Sequence, residues 1–147
     1  MIIKLKGVKI KSIFTSSNKI ISKKFKNTPD DFAISILKFK DNSIAKICSN
    51  FSSSTDHHHI FNIYSESTSF FYHRDRSIQY FREKDKKSKI EVKYEYNNKT
   101  KAGMLKNFFD AINKGKKNLR ISENDLFYLM KICLKLVESQ NKNKIIK

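Results

Sequence analysis

The stretch "DDFAISILKFKDNSIAKICSNFSS", residues 30–53, decides the fold. Phe32, Ile34 and Ile36 alternate with Ala33, Ser35, Leu37 and Phe39, the period of a strand that uses both faces. "KDNS" (40–43) interrupts the pattern, and Asp41 or Asn42 can adopt the left-handed conformation of a tight hairpin. Alternation resumes at Ile44 and runs to about Ser52, so the stretch reads as an antiparallel hairpin. Asp30 and Asp31 open it. Neighbouring residues of a strand face opposite sides, so these two read as strand-start residues making turn hydrogen bonds, not as a catalytic carboxylate pair.

Outward from the hairpin the same period recurs. "VKIKSIFTS" (8–16) alternates Val8, Ile10 and Ser12 with Lys9, Lys11 and Ile13. A polar loop follows and closes at Pro29, which holds Thr28 extended. "HHHIFNIYS" (57–65), "TSFFYH" (68–73), "SIQYFRE" (77–83) and "KIEVKYEY" (89–96) read as further strands. "RDR" (74–76) reads as a solvated turn and "FREKDKKSK" (81–89) as an exposed hairpin loop. The period then changes. Leu105, Phe108, Phe109 and Ile112 fall at helical spacing, with Gly115 as a stop. Ser122 and Asp125 resemble a capping box that opens a last helix, whose buried face is expected at Leu126, Leu129, Met130, Cys133 and Val137. The expected class is α+β: a single layer of about six mostly antiparallel strands with helices on one face, residues 1–147 forming one domain. The other sheet face must also be covered, or it is a sticky apolar surface.

Composition narrows the function. The 147 residues are 39% hydrophobic and include 12 Phe and 6 Tyr, enough for a real core. The formal charge of +17 rests on 27 lysines and only four arginines, Arg74, Arg76, Arg82 and Arg120. Such charge would ordinarily suggest nucleic acid or an anionic membrane. Lys, Asn, Ile and Phe all have A/T-rich codons, however, so the bias reads as codon-driven. The lysines run from Lys4 to Lys147 without forming a stripe, and the arginine that suits bidentate contacts to guanine and phosphate is scarce. Cys48 and Cys133 lie in apolar-periodic segments without metal-ligand spacing and read as buried reduced thiols. No signal-peptide pattern or transmembrane-length run is present, and a cytoplasmic protein is expected.

Chemistry-bearing motifs are few. The sequence contains no GxGxxG, GxxxxGK[ST] or GxSxG. His57, His58 and His59, beside Asp56, form the densest titratable cluster. On a strand His57 and His59 would share a face, but a zinc site needs a third ligand and none is evident, so no metal is expected.

Taken in order, "LKGVKIKSIFTSSNKI", the opening hairpin, "HHHIFNIYSES" and "FFDAINKGKKNLRISENDLFYLMKICLKLVESQNKNKII" resemble the C-terminal domain of the glucose–fructose oxidoreductase / inositol dehydrogenase (Gfo/Idh/MocA) family. The closing pieces are Phe109, Ala111, Ile112, Gly115, Ser122, Asp125, Ser139 and Ile145. The family's Gly-rich dinucleotide loop and Glu-Lys-Pro motif are missing, and "MIIKLKG" resembles the tail of the helix that carries its acid/base histidine. "SEST" replaces the glycines usual at a strand corner.

The resemblance implies a substrate-binding and dimerisation domain of an NAD(P)-dependent sugar or polyol oxidoreductase, as a truncated or split chain. It would not be competent for hydride transfer alone. It implies substrate contacts at His57 and Thr55, no catalytic or metal residue, and no NAD or NADP bound by this chain alone. A homodimer through the open sheet face, and a separate Rossmann-domain chain, are the implied partners. The rival readings are a basic nucleic-acid-associated protein and a standalone dimerisation or ligand-binding module.

Overall fold

The computed structural model describes residues 7–26, 28–73, 75–83, 86–93, 99–115 and 122–147. The strands are β1 (Ile10–Asn18), β2 (Phe32–Phe39), β3 (Ile44–Asn50), β4 (Ile60–Tyr64), β5 (Thr68–His73), β6 (Arg76–Glu83) and β7 (Lys86–Lys93). The helices are α1 (Lys99–Lys114) and α2 (Glu123–Lys142). The class is α+β, and every strand pair is antiparallel. The expected single layer is corrected in one respect: pairing gives two ladders, β1-β2-β3 and β4-β5-β6-β7. Two compact units follow, residues 1–54 with 119–147, and Thr55–Asn118. "FREKDKKSK" lies mostly in strands β6 and β7, whose side-by-side register runs from Arg76↔Lys93 to Glu83↔Lys86. The reading of "MIIKLKG" as a helix tail falls on residues 1–6 and lies outside the described residues, as do Arg74 of "RDR" and residues 94–96 of "KIEVKYEY".

In the first unit the opening hairpin forms as its sequence requires. Asn42 takes the left-handed conformation at φ 66°. The Ser43 amide donates to Asp41 Oδ1 at 3.1 Å, and the Phe39 amide donates to the Ser43 carbonyl at 2.9 Å. The core lies where β1 and β2 meet α2: Ile13, Leu37, Phe39 and Ile132 are buried, with Ile10, Tyr128 and Leu136 packed against them. A bulge between Ile10 and Ser12 shifts the register, so Ile10 pairs with Phe39 and Ile13 pairs with Leu37. The extra residue brings both isoleucines to the α2 side, which strict alternation from Val8 would not do.

α2 is capped as expected, with Ser122 Oγ accepting from the Asp125 amide at 3.1 Å and Asn143 closing the helix at φ 46°. Its buried face differs from the expected one. Ile132 and Ser139 are buried, with Tyr128 and Leu136 beside them, whereas Leu126, Leu129, Met130 and Val137 are exposed. The helix carries two apolar arcs, and β1 takes the one containing Ser139. That serine is fully buried; its Oγ accepts from the Thr15 amide at 3.0 Å and donates to the Lys144 carbonyl at 2.6 Å. Ile146 then forms a bridge with Ile13, tying the C-terminal segment to β1. The expected buried thiols are also corrected: Cys48 and Cys133 are free and exposed. Cys48 shares the face of Ile34 and Ser16, away from the core, and Cys133 sits on the outer arc of α2.

The paired acids serve the backbone. Asp31 is buried, and its carboxylate accepts from the amides of Ile20 at 2.6 Å, Ile21 at 2.6 Å and Ser22 at 3.0 Å. The Ser22 side chain, then the amides of Ser22, Ile21 and Ile20, outweigh desolvation and lower its pKa from 3.8 to about 2. Asp30 accepts from Ser17 Oγ and from Gln140 Nε2, the latter at 2.9 Å. A depressed folded-state pKa stabilises the fold above the unfolded value, and that stability is lost as pH falls toward the folded value. The urea midpoint should therefore decline between pH 3.8 and about 2. Asp31→Asn should remove this part of the decline; an unchanged acid profile in the variant would contradict the clasp.

In the second unit the β4–β7 register sorts residues into two faces. Phe61, Ile63, Phe70, Tyr72, Phe81, Ile90 and Val92 share one; Asn62, His73, Arg76, Glu91 and Lys89 lie on the other with Tyr64, Phe71 and Tyr80. The corner without glycine is closed by Ser65, whose Oγ donates to the Thr68 carbonyl at 2.8 Å. α1 ends at Lys114, followed by Gly115 at φ 90°, a conformation that favours glycine. Ala111 is buried, while Leu105, Phe108, Phe109 and Ile112 are exposed, contrary to the burial their spacing suggested.

Candidate functional site

The candidate site opens the second unit. Thr55 is its first residue, and His57, His58 and His59 lead into β4. The strand starts at Ile60, so the histidines lie on the approach to it rather than within it as expected. Thr55, His57 and His59 are exposed. The His57 and His59 rings meet edge to face, with centroids 4.9 Å apart at 86°. The same-side placement read from their spacing assumed a strand, which the backbone there does not form.

His58 turns back. Its Nδ1 lies 2.7 Å from the Asp56 carbonyl, which only accepts, so Nδ1 carries the proton in this contact. The His58 ring also lies 5.6 Å from that of His73, at the end of β5. All four histidines of the chain are thus joined pairwise around the start of β4. His73 was not among the residues singled out from sequence. The signal available was register: an antiparallel β4–β5 hairpin sets His73 opposite Ile60. The His59 ring continues toward Phe61 at 6.2 Å, and Phe61 toward Tyr72 at 5.7 Å.

Chemically this is a surface of ring faces and nitrogen hydrogen-bonding groups with a threonine at its edge. Apolar faces beside polar edges suit a ligand with C–H faces and many hydroxyls. Among the described residues, no group of three His, Cys, Asp or Glu side chains is placed to hold a metal ion. Asp30 and Asp31, the other acids weighed from sequence, belong to the first unit and are engaged as described. Among the described residues no helix is long and apolar enough to cross a membrane.

No family model matches the sequence, and no curated protein matches it significantly. Solved structures do. A proposed oxidoreductase from Thermotoga maritima matches with TM-score 0.78 at 12% identity, over 99% of this chain and 42% of that one. A proposed NADPH-dependent oxidoreductase from Desulfitobacterium hafniense matches with TM-score 0.75 at 14% identity, over 99% of this chain and 44% of that one. Levoglucosan dehydrogenase in complex with NADH matches with TM-score 0.76 at 15% identity, over 94% of this chain and 44% of that one. The chain has the fold of a segment of these oxidoreductases. The likeness at this identity is one of fold, and it takes in nearly the whole chain while spanning less than half of each oxidoreductase. Such coverage fits the C-terminal domain that the sequence resembles.

Proposed function

We propose that this chain is the substrate-binding and assembly part of an NAD(P)-dependent oxidoreductase that acts on a sugar or polyol in the cytoplasm. The observation that carries the reading is the fold match over 94–99% of the chain, which includes levoglucosan dehydrogenase solved with NADH and L-sorbose. In this reading Thr55 and His57 hydrogen-bond substrate hydroxyls, and the ring faces of His57 and His59 pack on its carbon skeleton. Neither acts as the base. Hydride transfer needs a dinucleotide held at a glycine-rich strand–helix turn, and the three glycines here, Gly7, Gly103 and Gly115, are too widely spaced to make one. That role falls to a nucleotide-binding part, in the same polypeptide or in a partner.

Assembly is assigned to the four-stranded sheet. One face leaves Ile63 43%, Ile90 57% and Val92 44% exposed; the opposite face carries Arg76, Lys89 and Glu91 beside exposed Ile60, Tyr64 and Tyr80. In the resembled family the open sheet face pairs subunits, and a homodimer through this face removes the apolar residues from water. Calorimetric titration of the chain with NAD and with NADP tests the division of labour. Neither should bind; a micromolar dissociation constant for either would overturn it.

A further inference from the structure

The lysines that are scattered in sequence do not stay scattered in the fold. In the first unit a groove of about 380 Å³ is lined by Lys9, Lys11, Lys40, Lys131, Lys135 and Lys147. They come from β1 and its leading residue, the β2–β3 turn, α2 and the C-terminal segment. Three features bring them together. The bulge inserts Lys11 into β1. The Lys40 amide donates to the Lys9 carbonyl at 3.0 Å. The Ile13–Ile146 bridge holds the C-terminal segment, where Lys135 Nζ donates to the Lys147 carbonyl at 2.5 Å.

Half of the twelve lining residues are lysines and none is acidic, although Lys and Arg are only about a fifth of the chain. Among the described residues, Lys9, Lys11, Lys40 and Lys131 make no ion pair. A space of 380 Å³ has an edge of roughly 7 Å. That is shorter than the screening length of about 8 Å at physiological ionic strength, so ammonium groups that reach into it would act on a ligand together. Two hydroxyls, of Ser12 and Tyr128, also line the groove. Tyr128 accepts from the Ile10 amide at 3.3 Å, which leaves its own proton free to donate.

We propose that this groove is a binding site for a small multiply charged anion of the polyphosphate class, of nucleotide size or less. Clustered point-charge donors with no Asp or Glu side chain among the lining residues suit phosphate oxygens, and the volume lies within the range of small-molecule pockets. Because the groove belongs to the first unit and the histidine site to the second, the proposal is independent of the oxidoreductase reading.

Titration of the whole chain with inorganic tripolyphosphate in about 0.15 M salt, by calorimetry and thermal shift, is the test. One saturable site is expected, with an upward shift in Tm. Lys11→Ala with Lys131→Ala should weaken it by about tenfold or more. Lys23→Ala with Lys24→Ala removes the same charge from a distant 3-10 turn and should leave the affinity within about twofold. Absent saturation, or equal weakening in both double variants, would mean diffuse charge and overturn the site. Citrate binding as tightly as tripolyphosphate would overturn the phosphate class. A short DNA duplex bound more tightly than tripolyphosphate, with the same loss in the first variant, would overturn the small-ligand assignment.

Discussion

Replacing Ile63 and Ile90 with lysine should turn the proposed dimer into a monomer. The two residues lie in one register line across the sheet, Ile63↔Phe70 on one side and Gln79↔Ile90 on the other. Both are on the apolar face, so a lysine at either would be buried unpaired in the proposed interface. A central apolar anchor is worth about 2 kcal/mol or more, roughly thirtyfold in dissociation constant for each site. Tyr64→Ser, on the face that carries the charged residues, should leave the association unchanged. The proposed dimer should tighten as salt rises, because +17 per chain would repel its partner and salt screens that repulsion. Sedimentation equilibrium separates the outcomes. A monomeric wild type, or a dimer lost only in Tyr64→Ser, would remove the sheet face from the proposed interface.

The second large effect concerns stability. Phe39→Ala should cost about 3–5 kcal/mol and Ile132→Ala about 2–5 kcal/mol, since each deletes a buried side chain from the same small cluster. Against a typical total of about 5–15 kcal/mol, either could unfold the first unit at modest denaturant. Leu134→Ala, at a site 71% exposed on the outer side of α2, should change stability by less than about 0.5 kcal/mol. Urea midpoints give the ranking. A larger loss at Leu134 than at Ile132 would mean that α2 packs through its other arc.

That arc shows where sequence reading stops. The hairpin at residues 30–53 was legible because its two faces alternate without interruption and Asn42 supplies the left-handed turn residue. The start of α2 was legible because a cap is a local hydrogen bond, Ser122 to Asp125. The buried arc of α2 was not, because Leu126/Met130/Cys133/Val137 and Tyr128/Ile132/Leu136 both satisfy helical spacing. The choice rests on a tertiary contact, Ser139 with Thr15, which hydropathy does not register. The bulge at Lys11 was hidden for a similar reason: an inserted residue reverses alternation without changing composition. At the histidine cluster, the spacing argument placed His57 and His59 on a strand that in fact begins at Ile60, and His73 required the β4–β5 register. The six-lysine groove was least visible, since its members span positions 9 to 147 and only the fold brings them together.

The central claim is that this chain binds the sugar or polyol while the dinucleotide is held elsewhere. Amide chemical-shift mapping of the isotope-labelled chain tests it most directly, because it detects even millimolar affinities and reports where they arise. Added sugars and polyols should shift resonances around Thr55, His57 and His59, and His57→Ala should reduce the effect while NADH and NADPH leave that region unmoved. Polyols that shift nothing there, or a dinucleotide that shifts those same amides, would contradict the claim.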